Sequence, residues 1–123
     1  MPRKSPSILI LDSHRELAEA YKKRLMLEGF DCKVFDAHDE ALEYISTLPC
    51  DLLIVDDHNM KEVSISDFLE LINAQMHFKT MPILVLSSSG RDQQIDGIDA
   101  YILKTATGAG AVIEKVKSLI NSI

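Results

Sequence analysis

Hydrophobic and polar positions follow two different periodicities that alternate along the chain. Short, almost continuous apolar runs are typical of strands that are buried on both faces of a sheet. Such runs predict five strands, at about 7–11, 30–35, 51–56, 82–86 and 100–103. Each run is long enough for one strand and too short for a buried helix.

Between these runs, apolar residues recur with the period of a helix that packs on one side. The spacing predicts helices over about 14–28, 39–48, 66–77 and 109–121, with Gly or Pro at several of the junctions. Strands that alternate with helices favour a doubly wound α/β fold, in which a five-stranded parallel sheet lies between two helical layers. We expect residues 7–123 to form this domain and residues 1–6 to form a loose tail.

Composition narrows the function classes. The chain has 123 residues, 46% of them hydrophobic, which suits one globular domain. A net charge of −6 argues against general nucleic-acid binding. No apolar run is long enough to cross a membrane, and the amino terminus does not resemble a secretory signal. Cys32 and Cys50 lack redox or metal-binding spacing, so we expect reduced thiols in a cytoplasmic protein.

Polar residues end four of the predicted strands, and these are the candidate functional residues. They are Asp12, Asp56 with Asp57, Ser87 and Lys104. Because chemistry in parallel sheets occurs outside the carboxyl ends of the strands, we expect these groups to share one crevice. An aspartate can attack phosphorus as a nucleophile, and carboxylates can hold Mg²⁺. A lysine and a hydroxyl can bind phosphoryl oxygens.

This constellation, in this order, resembles the receiver domain of response regulators, a flavodoxin-like domain of two-component signalling. The similarity extends from Ile8 to Ile123 and rests on five segments. These are ILILD at 8–12, EAL at 40–42, DLLIVD at 51–56, PILVLS at 82–87 and GIDAYILK at 97–104.

The resemblance implies a role for each matching residue. Asp12, Asp56 and Asp57 would bind Mg²⁺, and one of the last two would accept a phosphoryl group. Ser87 and Lys104 would contact that group. A further match, Tyr101, corresponds to the aromatic residue that moves inward together with Ser87 on activation.

The resemblance also implies partners. A sensor histidine kinase or a phosphotransfer protein would supply the phosphoryl group, and a downstream protein would recognise the switched surface. The chain would be no enzyme beyond phosphoryl transfer to its own aspartate, and it would not contact nucleic acid or a membrane directly.

The phosphoacceptor is Asp56 or Asp57. Counting from the start of the third strand favours Asp56, whereas counting back from Met60 favours Asp57. Compared with the family pattern, this sequence therefore has one extra residue, either before or after the acceptor. A loop accommodates an extra residue more easily than a buried strand, where it would force a bulge. We favour Asp56 for this reason.

Other departures favour an alternative function, a pseudo-receiver that binds proteins without being phosphorylated. Ser13 replaces the second acidic metal ligand, so we expect weaker Mg²⁺ binding. Thr105 replaces the proline that usually follows the lysine. Lys104 follows Ser87 by 17 residues, which is fewer than usual. The helix that the family has between its fourth and fifth strands should therefore shrink to about one turn near 91–96 or be lost. Dimerisation through this region is left open.

Ser13 also has a structural interpretation, which we favour. Ser13 and Glu16 have the S-x-x-E spacing of a capping box at the start of the first helix.

Overall fold

The computed structural model describes residues 5–12, 14–47, 50–56, 65–75, 81–87, 100–103 and 109–121. These ranges contain five strands and four helices. The strands are β1 (Ser7–Leu11), β2 (Asp31–Phe35), β3 (Leu52–Asp56), β4 (Ile83–Ser87) and β5 (Ala100–Leu103). The helices are α1 (Arg15–Leu27), α2 (His38–Thr47), α3 (Ile65–Gln75) and α4 (Ala109–Asn121). No helix in this described part of the chain is long and apolar enough to cross a membrane.

All five strands form one parallel sheet in the order β2-β1-β3-β4-β5. This is the flavodoxin-like strand order, so the predicted fold class is confirmed. The register is continuous across the centre of the sheet, where Ile10 pairs with Val34 on one side and Ile54 on the other. The carboxyl ends of the strands therefore lie along one edge.

Helices cover both faces of the sheet and make the predicted three layers. Alternate residues of β1 and β3 point to opposite faces, because side chains alternate along a strand. Ile8, Ile10 and Ile54 pack in one core with Leu25 of α1 and Val116 of α4. The other core joins the opposite face to α2 and α3, through Leu9, Leu53, Ala41, Ile45 and Phe68.

A carboxylate organises the start of α1. The helix begins at Arg15 with His14 as its N-cap, and the His14 side chain makes no capping hydrogen bond. The backbone amide of His14 donates to Asp12 Oδ1 at 2.8 Å. Ser13, the first residue of the predicted capping box, lies outside the described residues. The shortened fourth helix, predicted near 91–96, falls outside the described residues.

A pair of hydrogen bonds joins β1 to β3 at the amino edge of the sheet. The Ser7 amide donates to Asp51 Oδ2 at 2.7 Å, and the Asp51 amide donates back to the Ser7 carbonyl at 2.8 Å. On the other side of β1, the Asp31 amide donates to the Pro6 carbonyl at 2.9 Å. These bonds fix the register before the apolar pairs begin.

Both cysteines are free thiols and both are buried. Cys32 lies on β2 in the core beneath α1, where its side chain is shielded from solvent. Burial raises the pKa of the Cys32 thiol from 9.0 to about 12, although the nearby Lys22 opposes this. The fold thus holds the neutral form of this thiol.

Replacing Asp51 tests the pair of hydrogen bonds between Ser7 and Asp51, which we call the amino-edge clamp. The variant Asp51→Ala removes the acceptor of the Ser7 amide, and we expect the free energy of unfolding to fall by about 1–2 kcal/mol. Asp51→Asn keeps a carbonyl oxygen and should lose less. Urea denaturation measures both variants, and equal stability of Asp51→Ala and the parent chain would contradict the clamp.

The raised pKa of Cys32 predicts slow reaction with a thiol reagent. In a Cys50→Ser background, labelling of the native protein at pH 8 should be about 1,000-fold slower than in urea, since thiolate is the reacting form. The rate should increase as the pH rises toward 12. The stabilisation from burying the neutral thiol is complete below pH 9 and is lost between pH 9 and 12. Native labelling within tenfold of the unfolded rate would contradict this assignment.

Candidate functional site

Two buried aspartates lie together at the carboxyl edge of the sheet. Asp56 is the last residue of β3, and Asp12 directly follows β1. Each is 1% exposed, and they are the buried charged residues of the described part of the chain. Leu11 pairs with Val55, so Asp12 and Asp56 are the next residues along two adjacent strands. Neighbouring strands lie about 4.8 Å apart, which makes these aspartates direct neighbours.

Asp12 is held in place from two directions. Its backbone amide donates to the Phe35 carbonyl at the end of β2, at 2.9 Å. Its Oδ1 accepts the His14 amide at 2.8 Å, which fixes the side-chain rotamer as the chain turns into α1. The carboxylate is thereby oriented by the backbone on both sides of it.

The electrostatics of this edge favour a cation. Burying a carboxylate costs free energy unless hydrogen bonds or positive charges offset it, and two adjacent carboxylates also repel one another. Carboxylate oxygens are hard ligands that suit Mg²⁺, which is usually held by one or two carboxylates and keeps several water molecules. Asp12 and Asp56 therefore fit a magnesium site. Within the described ranges, no group of three or more His, Cys, Asp or Glu side chains could hold a metal ion.

The structure places the backbone of two further predicted residues near this edge. Ser87 ends β4 and follows Leu86, the residue that pairs with Asp56. Tyr101 lies in β5 opposite Val85, two residues before the strand ends. The remaining predicted residues, Asp57 and Lys104, lie outside the described residues, as does Ser13.

One ion pair at this edge was not anticipated. Arg15, the first residue of α1, places Nη1 3.4 Å from Oδ2 of Asp36, which follows β2. The two side chains are 64% and 50% exposed, so this pair contributes little to stability. Asp36 directly follows a strand, as Asp12 does. A search for polar residues at strand ends could therefore have identified it as a candidate. The identity of its partner depends on tertiary structure.

Comparison with known proteins identifies what the chain is similar to. The family model described as the response regulator receiver domain matches residues 8–116. No curated protein matches the chain significantly.

Many solved structures share the fold. A receiver domain of the Francisella response regulator 1452 is 24% identical, with a TM-score of 0.81 over 96% of this chain and 98% of that one. A response regulator from Thermotoga maritima is 25% identical, with a TM-score of 0.75 over 95% and 98% of the two chains. The response regulator TrrA of the same organism, solved in complex with Mg²⁺-BeF, is 24% identical, with a TM-score of 0.73 over 93% and 98%.

Magnesium binding is testable without any knowledge of function. Adding MgCl₂ should shift the amide resonances of Asp12 and Asp56, because two adjacent buried carboxylates attract the ion. Asp12→Asn should weaken the affinity at least about tenfold, since it removes one of the two charges. Asp51→Asn, a carboxylate change at the opposite edge, is the matched control and should leave the affinity unchanged. Resonances that do not move at saturating MgCl₂ would exclude the site.

Proposed function

The chain belongs to the response regulator receiver domain family, since the family model covers residues 8–116, and we propose that it accepts a phosphoryl group on Asp56. Membership of this family implies a role in two-component signalling. The observation that carries the proposal is the burial of Asp56 beside Asp12 at the carboxyl edge of the sheet. We assign the domain to residues 7–123 and its working compartment to the cytoplasm.

The proposed donor is a phosphohistidine of a sensor histidine kinase or a phosphotransfer protein. A carboxylate oxygen of Asp56 attacks phosphorus, and the bond between phosphorus and the imidazole nitrogen breaks. The products are an aspartyl phosphate and a histidine, whose nitrogen keeps the electron pair and takes up a proton. The reaction modifies the chain itself.

Several groups would stabilise the transferred charge. Asp12 and Asp56, with Asp57, would hold Mg²⁺, which neutralises negative charge on the phosphoryl oxygens when bound. The Mg²⁺-BeF complex of TrrA supports this choice of ion. Lys104 and Ser87 would contact phosphoryl oxygens, the lysine as a point charge and the serine as a hydrogen-bond donor.

The register of β3 supports Asp56 over Asp57 as the acceptor. β3 pairs with β4 without interruption from Leu53 opposite Ile83 to Asp56 opposite Leu86. All five residues of β3 are buried. A continuous ladder leaves no room for an inserted residue before Asp56, so the extra residue would follow it.

Phosphorylation would act on a protein surface through Ser87 and Tyr101. A phosphoryl group adds negative charge and acceptor oxygens at the end of β3, and a local charge change of this kind can bias a two-state element. We propose that Ser87 moves toward the new group, that Tyr101 follows, and that a downstream protein binds the altered surface.

The alternative is a pseudo-receiver that binds proteins and is not phosphorylated. Ser13 favours it, because this residue stands where the family has a second acidic ligand and lacks the charge that Mg²⁺ prefers. Thr105 favours it as well, since it replaces the usual proline after Lys104.

Intact mass spectrometry distinguishes the two functions. Incubation with MgCl₂ and acetyl phosphate should add the mass of one phosphoryl group to the parent chain. Asp56→Asn should abolish the addition, because the amide cannot act as the nucleophile. Omitting MgCl₂ should greatly slow it.

Two further variants complete this experiment. Asp57→Asn should still be modified, and the exposed Asp31→Asn is a matched control that should behave as the parent chain does. Modification lost in Asp57→Asn and kept in Asp56→Asn would move the acceptor to Asp57. A parent chain that gains no mass would support the pseudo-receiver.

A further inference from the structure

The last turns of α1 expose a patch that combines positive charge with large apolar side chains. Its residues are Lys23, Arg24, Met26 and Leu27, which we call the α1 patch. Leu27 is 84% exposed and Met26 is 53% exposed. Among the described residues, Leu27 is the most exposed of the large hydrophobic side chains.

Helix geometry places Leu27 beside both cations of the patch, and Met26 beside Lys23. Leu27 lies four residues after Lys23 and three after Arg24, the spacings at which side chains share one face. The buried face of α1 is formed by Ala18, Tyr21 and Leu25. With 100° of rotation for each residue, Leu27 points nearly opposite to that face. The position faces water, where a polar residue would serve the fold equally well.

Structural roles account for only part of the patch. Arg24 lies in the last turn of α1, where a cation complements the helix dipole. Such a role does not require Leu27. Lys23 and Arg24 form no ion pair with any residue that the structure describes. The neighbouring Glu28 pairs with Lys117 of α4 at 2.6 Å, an ammonium that also lies 3.8 Å from Glu114.

The α1 patch is remote from the aspartates. α1 starts beside Asp12 and runs back along the sheet for 13 residues, about 20 Å. The helix ends at Leu27 with Glu28 as its C-cap, and Gly29, with a φ of 97°, turns the chain toward β2. The patch therefore lies at the amino edge of the sheet, opposite the edge that carries Asp12 and Asp56.

We propose that the α1 patch docks an acidic segment of another protein that inserts an apolar side chain beside Leu27. Charge complementarity selects this occupant, because the cations of the patch would attract carboxylates and the apolar side chains would exclude water from the contact. An anionic membrane is a poorer fit: a net charge of −6 repels an extended negative surface, while a short segment meets the patch alone. Nucleic acid is disfavoured by the same repulsion and by Leu27.

NMR titration of the ¹⁵N-labelled full chain tests this assignment. The probe is an acidic peptide with a central Leu-Phe-Leu, and a second peptide of equal charge carries Ser-Ser-Ser instead. We expect the first peptide to shift amide resonances of residues 22–28 in a saturable way. The second should bind at least about tenfold more weakly, because it buries no apolar surface. High salt should weaken both.

Variants locate the contact. Leu27→Ser, and separately Lys23→Glu with Arg24→Glu, should each raise the Kd about tenfold or more. Leu71→Ser on α3 is the matched apolar control, since Leu71 is 41% exposed, and Lys115→Glu on α4 is the charge control. Both should leave the Kd within about twofold. Circular dichroism confirms that each variant is folded.

Three results of the peptide titration would overturn the proposal. These are an acidic apolar peptide that does not bind, resonance shifts centred outside α1, and a Kd that Leu27→Ser does not change. Sedimentation with vesicles of phosphatidylserine and phosphatidylcholine should leave the chain in the supernatant, and co-sedimentation lost in Leu27→Ser would reassign the patch to membranes. None of these measurements depends on phosphorylation of Asp56.

Discussion

Two adjacent interior strands of the sheet, β1 and β3, lead into carboxylates that are almost completely buried. Strands as apolar as these can be stable only between two helical layers, and the layers bring the strand ends into a region with little water. The free energy that the buried charges cost must be offset by hydrogen bonds and by cations, as at Asp12, which accepts a backbone amide. Packing and chemistry therefore depend on the same arrangement of β1 and β3.

The sequence was sufficient to predict the helices and strands because hydrophobic periodicity is a local signal. The predicted and observed bounds of β1, β5 and α4 coincide, and the other described elements differ by one or two residues. The carboxyl-edge position of Asp12 and Asp56 followed from strand ends alone. Two other features depend on tertiary structure. At the start of α1 the His14 amide donates to the Asp12 carboxylate, and the partner of Arg15 lies 21 residues away.

The two edges of the sheet serve different purposes. At the amino edge, backbone and carboxylate bonds between Ser7 and Asp51 close the sheet, and Lys117 joins α4 to the end of α1. These contacts use charged side chains to hold β1 against β3 and α4 against α1. At the carboxyl edge, Asp12 and Asp56 concentrate charge in a buried position, where a bound ion would interact strongly because the surroundings screen it less. α1 spans the distance between the edges, from Asp12 to the exposed Leu27.

The uninterrupted pairing of β3 with β4 has a consequence for how this chain can change during evolution. Asp56 is the last residue of a strand whose paired neighbours fix its position along the sheet. Insertions or deletions beyond Asp56 could therefore accumulate without displacing its carboxylate. Lineages that carry this ladder would be free to lengthen or shorten the connection to α3 and so acquire new partners, while the Asp56 carboxylate keeps its place.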